Sequence, residues 1–179
     1  MKHWSNKLVK LGACKDAVEW AKTQPSAAAA WKSCEDGAWM LWIAGRTCGK
    51  RGSAAHRRVV LTACACARLT LKYIPVGEDR PRKAIETAEA WARRRKGVTL
   101  NNVRAAADDA TDAVYAANAN AYVYAAAHAS YAAIYASYAA HAAAYAAAAY
   151  DAERTDMLKQ CAAIVRKYIP TPPEVRSKR

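Results

Sequence analysis

The chain has no phenylalanine, and no glycine or proline lies between Val98 and Ile169. Its second half therefore lacks the two residues that most often stop a helix. No segment alternates apolar and polar side chains over the length of a strand, which argues against a sheet. The apolar runs carry helical spacing instead: in "RVVLTACACARLTLKYI", Val60, Cys64, Ala67 and Leu71 recur at four, three and four. No window offers the roughly 20 strongly apolar residues of a membrane span. The opening "MKHWSNKLVKLGAC" has neither the apolar core nor the cleavage site of a secretory leader. A cytoplasmic protein is expected. The six cysteines form no CxxC pair and are irregularly spaced, as small buried apolar residues would be.

Catalytic signatures are missing too. There is no HExxH, no GxSxG, no glycine-rich phosphate loop ending in Lys-Ser/Thr, and no EF-hand loop. The four histidines are scattered. His128 and His141, 13 residues apart, fall on different sides of one continuous helix. The reading is a non-enzymatic protein with no catalytic residue, no metal and no cofactor.

What is present is charge. The formal net charge is +13, with 28 Lys and Arg against 15 Asp and Glu. Residues 1–100 carry 20 basic against 8 acidic side chains, residues 101–150 only Arg104 against three aspartates, and residues 151–179 seven against four. Such an imbalance favours an anionic partner: a nucleotide-like small molecule, an acidic protein surface, or nucleic acid. It also serves plain solubility. Oligomers are left open.

The punctuation predicts an all-α fold, a compact multi-helix bundle with a long Ala/Tyr-rich helix, as one domain over 1–170. It divides into a basic, Trp-rich half (1–98) and Ala/Tyr-rich helices (99–170), followed by a flexible basic tail (171–179). One helix covers about Lys7–Lys22, interrupted at Gly12. A second runs from the cap Ser26 to about Ala44, with a break at Glu35–Gly37. Gly45–Ser53 is a loop, and Ser53 caps a third helix ending near Tyr73. Asp79 and Pro81 start a fourth, which ends at "RRRKG". Thr99 caps the alanine helix, which must break near Tyr150–Thr155 and can bend near Asn118–Ala121. One echo stands out: "CARLTLKYIP" (Cys66–Pro75) and "CAAIVRKYIP" (Cys161–Pro170) share six positions. It reads either as a duplicated helical unit or as two similar helix ends.

The alanine run carries eight of the ten tyrosines. Along one helix, Tyr124, His128, Tyr131, Tyr135, Tyr138 and Tyr145 share an arc of about 100°. That stripe is either core or a ligand wall on which rings stack. The six tryptophans cluster in the basic half, and "WMLWIAG" (Trp39–Gly45) reads as core.

The candidate site is "GEDRPRKAIE". Arg80, Arg82 and Lys83 stand in a helix's first turn, where cations oppose the dipole. A bound anion would offset that, as would pairing with Glu78, Asp79 or Glu86. The site expected here joins Arg80, Arg82 and Lys83 to His128, Tyr131, Tyr135 and Tyr138. Arg46, Lys50, Arg51, Arg57 and Arg58 form a second candidate basic surface.

"EDRPRKAIETAEAWA" (Glu78–Ala92), followed by the alanine-rich helix, and "AWKSCEDGAWMLWIAGR" (Ala30–Arg46) resemble a family of small helical immunity proteins, the immunity-five-like domains, found in bacteria and phage genomes. The resemblance implies a non-enzymatic inhibitor of the immunity or phage counter-defence type. It supplies no ligand and no catalytic residue.

Overall fold

A computed structural model describes residues 3–116, 121–135, 138–148 and 154–175, with side chains except at 114–116, 121–123, 126, 140 and 146–148. The described residues are 70% helical, about twice the usual third, and no strand occurs among them. The helices are α1 (Asn6–Leu11), α2 (Lys15–Lys22), α3 (Ala27–Ser33), α4 (Gly37–Thr47), α5 (Ala54–Arg68), α6 (Arg80–Ala92), α7 (Leu100–Ala116), α8 (Ala121–Tyr131), α9 (Tyr138–Ala148) and α10 (Arg154–Tyr168).

Local chemistry sets the early boundaries. Gly12, at φ +82°, ends α1 in a left-handed turn that few other residues tolerate. Side-chain oxygens of Ser26, Asp36 and Ser53 accept the N–H groups of Ala29, Trp39 and His56 at 3.1, 2.9 and 3.1 Å. Each satisfies one orphan donor of a first turn. At the start of α7, Thr99 N–H donates to Asn102 Oδ1 at 2.8 Å and Asn102 N–H to Thr99 Oγ1 at 3.3 Å, a reciprocal cap. The third helix stops earlier than expected, at Arg68, and a 3-10 turn covers Leu71–Tyr73.

The long alanine helix is corrected. Its segment makes three helices, and the expected bend at Asn118–Ala121 and break at Tyr150–Thr155 fall largely outside the described residues. The turn at Ala132–Tyr135 was not foreseen. It is held from across the bundle: His56 Nε2 on α5 donates to the Ala132 carbonyl at 2.9 Å. The chain tightens there, with Ile134 and Tyr135 N–H both donating to Tyr131 O at 2.9 and 2.8 Å. Alanine's helix propensity is a weak prior and yields to such a contact.

α8 and α9 form an antiparallel hairpin. Tyr131 meets Tyr138, His128 meets His141 and Tyr124 meets Tyr145, at ring separations of 5.5, 5.4 and 5.3 Å. Behind the rings, Ala125, Ala129, Ala132, Ala139, Ala142 and Ala143 are fully buried in one core with Met40, Leu41, Val59, Val60, Ile85 and Val165. Small side chains let these backbones approach closely, so the gain is van der Waals contact along the helices more than large transferred area. Ala84, Ala110 and Ala127 join α6, α7 and α8 in the same manner.

α10 closes the bundle against α4, α5 and α9. The two echoed segments meet here: Cys66 Sγ donates weakly to the Cys161 carbonyl at 4.0 Å. A Cβ added to Gly37 would sit 2.4 Å from Cys161 Cβ, so only glycine admits α4 this close. Trp31 Nε1 donates to Ile169 O at 2.9 Å and Arg166 to Cys34 O at 2.6 Å, tying α3 to the end of α10. Five cysteines are buried and all six are free thiols. Burial pushes Cys34 up to about 11 and Cys64 higher still. The hydrogen bond to Cys161, then burial, does the same to Cys66. These thiols stay protonated and unreactive.

Candidate functional site

The geometry divides the expected site. Arg80 leaves α6 paired with Glu78, Nε donating to Oε1 at 2.8 Å and Nη2 reaching Oε2. Glu78 also accepts the Arg80 backbone N–H at 3.1 Å. This pairing first, then Asp112 and Asp109 on α7, holds the guanidinium's pKa above its ordinary value. The cost of a cation at a helix start is thus offset within the chain. Arg82 and Lys83 are exposed and form no ion pair among the described residues. No hydrogen bond, ion pair or ring contact among the described residues joins Arg80, Arg82 or Lys83 to His128, Tyr131, Tyr135 or Tyr138.

His128, Tyr131 and Tyr138 do come together, inside the α8–α9 hairpin. The His128 ring lies 4.8 Å from Tyr145 at 4° and 5.2 Å from Tyr138 at 20°, with His141 edge-on at 5.4 Å. The expectation that His128 and His141 face different sides is corrected, because the turn between them folds one onto the other. His128 Nδ1 is buried without a hydrogen-bond partner. Burial, then the neighbouring His141, pulls its pKa down to about 4, so the ring is neutral near pH 7. Tyr131 donates its hydroxyl to Asp108 on α7. Burial first, then Asp108, raises its pKa to about 12.

Tyr135 stands at the edge of this cluster, its ring 6.2 Å from Tyr138 and tilted by 39°. Its ring is 53% exposed and lies under the Arg51 guanidinium, 5.7 Å from the ring centroid. That is cation–π distance. Around this pair is a cavity of about 310 Å³, lined by Gly45, Arg46, Gly49, Arg51, His56, Ile134 and Tyr135. No carboxylate lines it, and neither arginine forms an ion pair among the described residues. Arg46 is steadied by donating to Leu11 O at 3.1 Å and by the Trp42 ring at 6.0 Å.

His56 is the hinge pin of this cleft. Its Nδ1 accepts the Gly52 N–H at 2.8 Å, so Nε2 carries the proton donated to Ala132 O. Burial lowers its pKa, which fits a neutral ring with both nitrogens engaged. Arg57 turns inward, donating to Gly52 O at 2.9 Å and to Trp91 O at 2.6 Å, with the Trp91 ring 4.6 Å away. Lys50 and Arg58 stay exposed. Of the second basic group, then, Arg46 and Arg51 line the cavity, and Arg57 braces it.

A second cavity was not expected at all. It measures about 360 Å³ and lies between α1–α4 and α9, with Trp4, Trp20, Trp31, Trp39 and Trp42 in its wall beside Ile43, His141 and Pro172. "WMLWIAG" is therefore core only in part: Met40 and Leu41 are buried, whereas Trp39 and Trp42 are half-buried and line the cavity. The signal was present in the sequence, as five tryptophans fall within the first 42 residues, four of them on helices of only 7 to 11 residues. Helices so short cannot enclose that many indoles. No family model, curated protein or solved structure matches the chain. Among the described residues no helix is long and apolar enough to cross a membrane.

Proposed function

We propose that this is a non-enzymatic binding protein that sequesters an anionic, ring-bearing small molecule of nucleotide-like chemistry in the cleft between the α4–α5 loop and the α8–α9 turn. One observation carries the reading: two arginines without carboxylate partners and an exposed tyrosine ring share a cavity that no acidic side chain lines. Arg46 and Arg51 supply paired donors for a phosphate or carboxylate, and Tyr135 offers a face for a base. The 310 Å³ volume lies at the lower end of the range for small-molecule sites, roughly 300–1,000 Å³. Gly45 near the end of α4 and Gly49 in the loop after it leave the backbone open to close approach. Arg82 and Lys83 add to the attracting field without contacting the ligand. The sequence resemblance to phage-borne immunity proteins supports a role in immunity or counter-defence.

The test is mass spectrometry of small molecules released from the purified protein after expression in cells with active nucleotide signalling. A phosphorylated, ring-bearing compound is expected from the wild type and not from folded Arg46→Ala/Arg51→Ala. The Arg80→Ala/Arg82→Ala protein should retain it. Loss only in the latter would return the site to the α6 corner. Absence of any anion in all three, with retention of an acidic protein, would favour the inhibitor reading instead.

A further inference from the structure

We propose that the tryptophan-walled cavity is a second binding site, and that it takes an uncharged, flat, ring-bearing apolar molecule. The first argument is volume. About 360 Å³ falls in the range of ligand sites, roughly 300–1,000 Å³. The second is charge. The chain is 24% charged and strongly basic, yet no Lys, Arg, Asp or Glu lines this cavity. An ionic ligand would lose its hydration there with nothing in return. The anion proposed for the arginine cleft has no place here, so the two sites differ in the chemistry they accept.

The third argument is how the wall is held. Trp4 Nε1 donates to Gln24 O and Trp31 Nε1 to Ile169 O, both at 2.9 Å. Those two indoles are fixed, and their donors are spent. Trp20, Trp39 and Trp42 have no hydrogen-bond partner for their indole N–H among the described residues. Trp20 and Trp39 stand 6.1 Å apart and tilted by 50°, so they are not stacked face to face. All three are half-buried, and their N–H groups are not among the buried unpartnered atoms, so they open onto accessible space. Broad apolar walls whose donors are free of the protein suit a flat ring with one acceptor on its edge. His141, at the rim, provides a further polar contact.

The experiment compares two probes of nearly the same shape on the full chain: neutral phenylnaphthylamine and its anionic relative anilinonaphthalene sulfonate. Probe emission and energy transfer from tryptophan are both followed. The neutral probe is expected to bind saturably at one site, tighter than the sulfonate by about tenfold or more, with little dependence on salt. A basic surface acting alone would give the opposite order, so tighter, salt-sensitive binding of the sulfonate overturns the proposal. So does the absence of saturable binding of the neutral probe to the wild type. Ala17→Phe, which extends a ring into the cavity, should weaken the neutral probe by a similar factor while the circular dichroism spectrum is kept. If that variant does not fold, Trp39→Ala replaces it with the same expectation. Unchanged affinity in a folded variant overturns the site. A concentration-dependent dimer in sedimentation that the neutral probe fails to dissociate would also overturn it, assigning the cavity to a second copy. Arg51 lines only the arginine cleft. Arg51→Ala should therefore lose the anion and leave probe binding unchanged, so failure of one site is distinguishable from failure of the other.

Discussion

The two halves of the chain reach the same helical architecture by different means. From α3 to α5 the helices are started by capping side chains, and the buried faces of α4 to α6 use Met40, Leu41, Val59, Val60 and Ile85. Among the described residues of α8 and α9 no such large aliphatic enters the shared core, and alanines at 0–1% exposure take their place, with Ile134 buried in the turn between them. Side-chain volume holds the first half, and close backbone approach holds the second. The first is specified locally, residue by residue. The second depends on what lies across the bundle, and its sharpest turn is held by a histidine 76 residues away.

The largest expected effect tests close approach where the two halves meet. Gly37 lies in the first turn of α4, where alanine would ordinarily improve the helix by about 1 kcal/mol. A Cβ there would instead meet Cys161 Cβ at 2.4 Å and the backbone atoms Ala162 N and Cys161 C at 2.7 Å. Gly37→Ala should therefore lower unfolding free energy by about 3 kcal/mol or more, read from urea midpoints. Adding Cys161→Gly should not restore it, because two of the three clashes are with backbone. Near-wild-type stability of the single variant would mean that α10 shifts easily and that the packing is not tight.

A somewhat smaller effect is expected at the pin between the halves. His56→Ala removes two hydrogen bonds at once, leaving the Gly52 N–H and the Ala132 carbonyl without partners. Unsatisfied buried groups cost about 1–3 kcal/mol each, so a loss of about 3 kcal/mol is expected. The effect should be concentrated in the second half. Hydrogen exchange in His56→Ala should speed up at Ile134 and Tyr135 more than at Val59 and Val60. Uniform acceleration would show instead that the turn and α5 open together.

These differences explain what could be read from the sequence. Ser26, Ser53, Thr99 and Pro81 mark helix starts because caps act within three or four residues. Glu35–Gly37 and Gly12 mark interruptions for the same reason. The Ala132 turn has no local mark, since the group that holds it is on α5. Inferences that crossed it were displaced in part: the rings of Tyr124, His128, Tyr131, Tyr138 and Tyr145 still come together, but across a hairpin and not along one helix. His128 and His141 meet where opposite faces were expected, and Tyr135, still beside Tyr138, carries Arg51 over its exposed ring. The Arg80 corner was weighed against pairing with Glu78, and the ion pair is what the geometry shows. The arginines lining the cleft were named in advance, because a glycine-rich basic loop is a local feature. The tryptophan cavity was not, because a void is a property of packing.

The smallest effect concerns the ring stack that only the folded hairpin creates. His128 has an ordinary pKa of 6.5 and a folded value of about 4, lowered by burial and then by His141. Between these values the unfolded chain binds a proton that the folded chain excludes, so protonation favours unfolding. The stability that depends on neutral His128 is complete above pH 6.5 and is lost as pH falls towards 4. His56 is shifted in the same direction, and Glu78 and Glu89, held low by their arginines, lose stability at lower pH. The wild-type profile alone therefore cannot isolate one ring. His128→Gln removes the titrating group and keeps a polar side chain. Its urea midpoint should fall less than the wild type's between pH 7 and pH 5, and the difference should be modest because the ring is only half-buried and solvent screens its charge. Equal falls would show that the stack opens to water around His128, and that the alanine half tolerates a charge where its aromatic packing should forbid one.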